Sequence, residues 1–199
     1  MLEEDFQHVL DGVRQGDEEA FARLYVDVHP PLLRYLTVLA ADSAEDVASE
    51  CWLQVARGLD TFDGGERQFR AWLFTIARNK LTDRIRYESR RPTVAWDGTD
   101  EIGESVRDVA EDVLESESTR SALARLAELP RDQAEAVLLR VVGGLDYDEI
   151  AHLMDRSTGS VRVLVHRGLK SLARSYESQA APVPGGADRP SDPEPPSAL

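Results

Sequence analysis

The sequence predicts an all-α fold of two small helical domains joined by a flexible acidic linker. Apolar residues recur three and four positions apart through the first 91 residues and again from about residue 118 to 173. Between these runs, Asp97 to Glu117 holds nine acids against the lone Arg107 and no apolar period, as a mobile connection would. From Pro182 onward the chain carries six of its ten prolines and should be disordered. The predicted boundaries are therefore 1–92, 93–117, 118–176 and 177–199.

In the first domain, Leu2, Phe6, Val9, Leu10 and Val13 make a helical stripe that Gly16 stops. Asp17 is a plausible N-cap for the next helix, and Glu18 and Glu19 suit its positive end. Phe21, Leu24, Tyr25 and Val28 form its inner face. Pro30 and Pro31 should break or kink the chain before Leu32, Leu33, Leu36 and Leu39 resume the pattern. Ser43 is placed to cap a third helix, 44–58, whose inner side carries Val47, Cys51, Val55 and Leu59, widened by Ala48 and Trp52. Glu45, Asp46 and Glu50 lie toward its polar side, without a basic neighbour in the local sequence. Gly58 closes it. A loop follows, and its Gly64-Gly65 pair permits unusual backbone angles.

Phe69 to Arg91 contains neither proline nor glycine. Phe69, Trp72, Leu73, Ile76, Ala77, Leu81 and Ile85 give an apolar stripe close to helical period. Arg70, Arg78, Lys80, Arg84, Arg86, Arg90 and Arg91 oppose only Asp83 and Glu88. The whole chain has a net charge of −14, so this concentration of cations points to phosphate as its counterpart. A solvated amphipathic helix accounts for the pattern equally well when the segment is taken alone.

The second domain starts near Ser118 with Leu123, Leu126 and Leu129 on one helix. Pro130 opens the next, which buries Ala134, Val137, Leu138 and Val141 and ends at Gly143-Gly144. Asp146 and Glu149 have capping-box spacing. Asp155-Arg156-Ser157 leads to a final helix with Val161, Leu164, Val165, Leu169 and Leu172 facing inward. Arg156, Arg162, Arg167, Lys170 and Arg174 make it basic, with no acid between positions 156 and 174. Two short helices, a tight turn and a basic second helix have the form of a helix-turn-helix. Ala151 is small where those helices approach.

Other classes of function find little support. No apolar run reaches membrane-spanning length, and the acidic, polar N-terminus does not resemble a signal peptide, so a cytoplasmic protein is expected. Cys51 is the lone cysteine and reads as a small buried hydrophobe. The histidines at 8, 29, 152 and 166 lack ligand spacing. No nucleophile–base pair, phosphate loop or metal-ligand set is visible, so neither enzyme activity, nor a cofactor, nor a small-molecule substrate is expected.

The wording of the motifs is more specific than their periodicity. AEDVASECWLQVARGLDTF followed by FRAWLFTIARNKLTDRIRYESRR resembles region 2 of the extracytoplasmic-function (ECF, group IV) sigma factors of the sigma-70 family. ELPRDQAEAVLLRVVGGLDYDEIAHLMDRSTGSVRVLVHRGLKSL resembles their region 4. The resemblance implies a bacterial transcription initiation factor that binds core RNA polymerase, through its beta and beta-prime subunits, and promoter DNA, under the control of an anti-sigma factor.

It implies that Glu45, Asp46, Ser49 and Glu50 dock on the polymerase clamp, Ser49 standing where the family usually has glutamine. The loop 60–68 and the start of the next helix resemble the part that captures an unstacked −10 base. Arg70, Arg78, Asn79, Lys80, Asp83, Arg84 and Arg86 fall to the −10 strand, a melted strand needing a basic track and polar groups that read base edges. Trp72 and Phe74 are candidates to stack on bases, with Trp72 expected in the core. Thr158, Gly159, Ser160, Arg162, Val163, His166, Arg167 and Lys170 fall to the −35 element, Gly159 and Ser160 permitting close approach to the backbone. Val163, where many relatives are polar, suits either a thymine methyl or the interior.

The acidic linker is expected to occupy basic channels of the polymerase. In the free chain it should fold back on the basic helices and leave the two domains without a fixed spacing. An autonomous helix-turn-helix regulator is the alternative, and it has no use for a second DNA-facing helix.

Overall fold

Eight α-helices and no strand make up the described residues, 5–90 and 116–180, of this computed structural model. Leu2, Arg91, the acidic run through Glu115 and the proline-rich tail lie outside them, as do the side chains of Glu88 and Arg90.

Helix α1, Phe6–Arg14, buries Phe6, Val9 and Leu10. Gly16, at φ +80°, turns the chain, and Asp17 caps the next helix by accepting from the amides of Glu19 and Ala20. Helix α2, Glu18–Ala40, runs without interruption through Pro30 and Pro31. A proline inside a helix costs about 3 kcal/mol. Here Val28, Leu32, Leu33 and Leu36, on both sides of the prolines, sink into one core and hold the helix together. Phe21, expected inside, is 43% exposed. Its ring instead edges against Trp52 on the surface side of a cluster completed by Tyr25 and His29.

Helix α3, Ala44–Gly58, buries Val47, Ala48, Cys51 and Val55. Ser43 does not cap it, because its hydroxyl donates back to the Ala40 carbonyl. Burial pushes the Cys51 thiol up to about 12, which suits an inert core residue. Helix α4, Glu66–Arg90, buries Phe69, Leu73, Phe74, Ile76, Ala77 and Leu81. Ile85 is 42% exposed, so the apolar stripe ends one turn early.

The second half begins when Ser116 caps helix α5, Glu117–Ala127. Glu117 thus belongs to a helix and not to the connection. Helix α6, Arg131–Val141, buries Ala134, Val137 and Leu138 as its period requires. It also buries Glu135, Ala136 and Leu139, while Val141 stays exposed. Two faces are covered because α6 lies between the last helix on one side and α2 on the other. Gly144, at φ +72°, turns the chain into helix α7, Tyr147–Met154. There the Asp146–Glu149 capping box is complete, and Asp155, at φ +54°, turns into helix α8, Thr158–Ala180.

The two halves are therefore not loosely tethered in this structure. α2 packs on α5 and α6, and one continuous apolar cluster runs from Phe6 to Val165.

The aromatic cluster has a pH consequence. Trp52 donates its indole N–H to His29 Nδ1 at 3.1 Å, and the Tyr25 ring stacks on the imidazole at 4.3 Å. Burial lowers the His29 pKa from its ordinary 6.5 to about 4. A folded value below the unfolded one means that the unfolded chain takes up the proton first. The contribution is intact above pH 6.5 and is lost as pH falls toward 4. Between pH 7.5 and 5 it should cost about 2 kcal/mol. Urea titrations of the wild type and His29→Gln should show the gap between them closing by that amount. A pH-independent gap would mean that the imidazole is not held neutral.

Candidate nucleic-acid interface

The start of α4 is fixed from outside. Gln7 donates to the Gly64 carbonyl at 2.8 Å, and Arg14 donates to the carbonyls of Leu59 and Phe62. Phe62 stacks on Trp72, whose ring passes 2.8 Å from where a Gly58 Cβ would stand. Gly64 and Gly65 do not take positive φ. Gly64 is needed for room, since a Cβ there would lie 2.9 Å from Gln68 Cβ and 3.0 Å from the Phe62 ring. Phe74 is fully buried against Tyr35 and has no face left for a base.

The helix then distributes the predicted strand-binding residues in four directions. Asn79, Asp83 and Arg86, spaced as one helical face, are exposed, and Arg86 and Asp83 lie 3.8 Å apart. Lys80 and Arg84 turn toward α3. Lys80 Nζ is 3.1 Å from Glu50, and Arg84 is 3.8 Å from Asp46. The acids that lacked basic neighbours in the local sequence thus find them across the helix pair. Both acids are at least half exposed, so these pairs are weak and readily exchanged. Arg78 faces the second half and donates to Glu135 at 2.8 Å. Arg70 is enclosed by Glu66 and Asp27, which makes it a structural cation.

On α3, Glu45, Asp46, Ser49 and Glu50 are all exposed. Leu53 continues that edge one turn further and is 58% exposed. Its position seven residues after Asp46 was the signal that could have found it.

In the second half, Val161, Val165 and Gly168 of α8 face inward, with Leu164 and Leu172 half-buried against the core. Leu169, expected with them, is 44% exposed. Gly168 replaces it at the helix contact, where a Cβ would come 2.6 Å from Val137 Cγ2. Nothing crowds Gly159. Gly159, Ser160, Arg162, Val163, His166, Arg167 and Lys170 form a continuous exposed row, and Val163 therefore lies outside the interior. Thr158 is half-buried and donates to Asp148 at 2.7 Å, which ties α8 to α7. The guanidinium groups of Arg140 and Arg162 lie over the Tyr147 ring, 5.1 and 5.5 Å from its centroid. Asp146 stays ionised to unusually low pH, mainly because it accepts from the Glu149 amide. Among the described residues no group of acids, histidines and cysteines is arranged to hold a metal ion.

The family model described as sigma-70 region 2 matches residues 24–91, and that of sigma-70 region 4 matches residues 119–172. An ECF RNA polymerase sigma-E factor from Haemophilus influenzae is 31% identical over 86% of this chain and 95% of its own length. The chain belongs to the ECF sigma-factor family. This sigma factor is also 35% identical to ShbA of Streptomyces griseus, over 79% of the chain and 88% of that protein. It is 33% identical to BldN of Streptomyces coelicolor over 86% of the chain, spanning 66% of that longer protein. As a member of the family it is a transcription initiation factor and not an enzyme. The fold agrees with that of RpoE from Bartonella quintana, solved with the anti-sigma factor NepR. The TM-score is 0.56 at 23% identity, over 85% of this chain and 98% of that one. CnrH, solved with the cytosolic domain of CnrY, gives 0.55 at 21%, over 88% and 99%. No described helix of the sigma factor is long and apolar enough to cross a membrane.

Proposed function

We propose that this sigma factor works in the cytoplasm, where it binds core RNA polymerase, directs it to promoters and helps to open them. The exposed edge of α3, Asp46, Ser49, Glu50 and Leu53, docks on the polymerase. The outer face of α4, with Asn79 and Asp83, reads the −10 strand, while Lys80 and Arg84 transfer from their acids to phosphate. The outward row of α8 enters the major groove at −35. That row carries the reading: seven positions between Gly159 and Lys170, three of them cationic, face solvent from a helix whose other side is locked into the core. The complex of the structural relative RpoE with the anti-sigma factor NepR supports control by such a partner here.

The test is promoter-fragment binding at fixed salt with and without core polymerase, followed by run-off transcription. The protein alone should bind weakly, and the complex should initiate at defined sites. Tight specific binding by the protein alone, with no core-dependent transcript from any candidate promoter, would establish an autonomous regulator instead.

A further inference from the structure

The cationic row on α8 has a hydrocarbon at its middle. At about 100° per residue, Gly159, Arg167 and Lys170 lie within about 40° of Val163 around the helix, with Ser160 and His166 about 60° to either side. Val161, Val165 and Gly168 fall on the opposite side, and all three are buried. Val163 therefore points straight away from the core and is 47% exposed. Leu169, also exposed, lies about 120° off this direction and outside the row.

The groups beside Val163 are donors, are engaged, or are missing. Arg167 and Lys170 can only donate. Arg162 lies to one side, over the Tyr147 ring. The Ser160 hydroxyl is 2.8 Å from that of Ser157. Gly159 has nothing within 4 Å of where a Cβ would stand, so the helix has room for close approach next to Val163. The row contains no carboxylate.

The base edges of the major groove present one hydrocarbon group, the C5-methyl of thymine. Thymine also offers the O4 acceptor beside that methyl, which suits donor-only cations. Cytosine presents an N4 amine instead and is read by an acid, which the row lacks.

We propose that Val163 is a specificity-determining residue that selects a thymine in the −35 element by covering its C5-methyl. The choice of DNA site rests on the sigma-factor reading; the base and the methyl go beyond it. Valine has no polar atom to form a substitute contact when that methyl is replaced by hydrogen. Covering one methyl corresponds to about fourfold in affinity.

The test uses the full-length protein with core polymerase. A promoter library randomised across the −35 element is enriched by binding to this complex. The selected promoter is then synthesised with each thymine in turn replaced by deoxyuridine, which lacks only the methyl. The wild type should lose about fourfold in affinity at one position. Val163→Ser should bind the thymine and deoxyuridine duplexes equally there. Val163→Thr keeps one branch methyl and should retain about twofold discrimination; it carries the test if the serine variant folds poorly. A selected element without thymine, or one whose thymines all tolerate deoxyuridine, would overturn the assignment. So would a fourfold loss that persists in both variants, since another group would then read the methyl. A change that only loosened α8 would weaken both duplexes alike and leave their ratio at the wild-type value, the same overturning result. Failure of the complex to enrich any sequence would instead remove the sigma-factor reading, and with it the claim of α8 on this element.

Discussion

Phe69→Ala should destabilise the protein by about 3–5 kcal/mol. Phe69 is fully buried where three segments converge. Its ring is tilted on Phe6 at 5.6 Å, stands edge-on to Phe62 at 5.6 Å and to Trp72 at 5.8 Å. Each aromatic pair adds about 0.5–1.5 kcal/mol beyond area burial, and alanine forfeits all three. Collapse cannot refill the space, because Phe62 is already stacked on Trp72 and the loop before α4 is pinned by Gln7 and Arg14. Urea denaturation of the variant should show an earlier midpoint with an unchanged slope. Phe69→Leu, which keeps most of the volume, should lose less than half as much. A loss under about 1 kcal/mol for alanine would show that the four rings are not packed as described.

The second large effect concerns the division of labour between the helices. Arg162→Ala with Arg167→Ala should weaken use of the −35 element by about 2–6 kcal/mol, taking about 1–3 kcal/mol for each base-edge contact. The two side chains are exposed and five residues apart, so their losses should be close to additive. Asn79→Ala should leave −35 binding intact and impair strand opening. Transcription from promoters with a scrambled −35 element separates the two outcomes: the double arginine variant should approach wild type there, and Asn79→Ala should remain defective. Permanganate footprints showing normal melting with Asn79→Ala would remove that residue from the −10 strand.

Local chemistry was legible in the sequence. The Asp146–Glu149 box, the Asp17 cap, the inert Cys51 and the outward row of α8 all depend on neighbours within a few residues, and all appear in the structure. The misses share a different cause. Glu135, Ala136 and Leu139 are buried because α2, a hundred residues away, covers a second face of α6. Periodicity assigns a helix one inner face and cannot register a second. The same long-range contact hides the partner of Arg78. The pairs of Lys80 and Arg84 with α3 need the crossing of two helices, which local sequence does not encode. Pro30 and Pro31 obeyed a local rule that burial on both sides overrode. Ile85 was a one-turn overextension of a real stripe, and Leu169 gave up its inward place to Gly168.

Gly168 sets the freedom of the chain to change its target. Because α8 seats on Val137 through a missing side chain, its anchorage lies entirely on one side. The positions opposite, from Gly159 to Lys170, contribute little to the interior. Substitutions along that row can therefore accumulate at little cost to folding, and promoter preference can drift, or be rewritten by randomising the row, while the rest of the molecule keeps its sequence. The permissive surface exists because one residue beneath it admits no replacement.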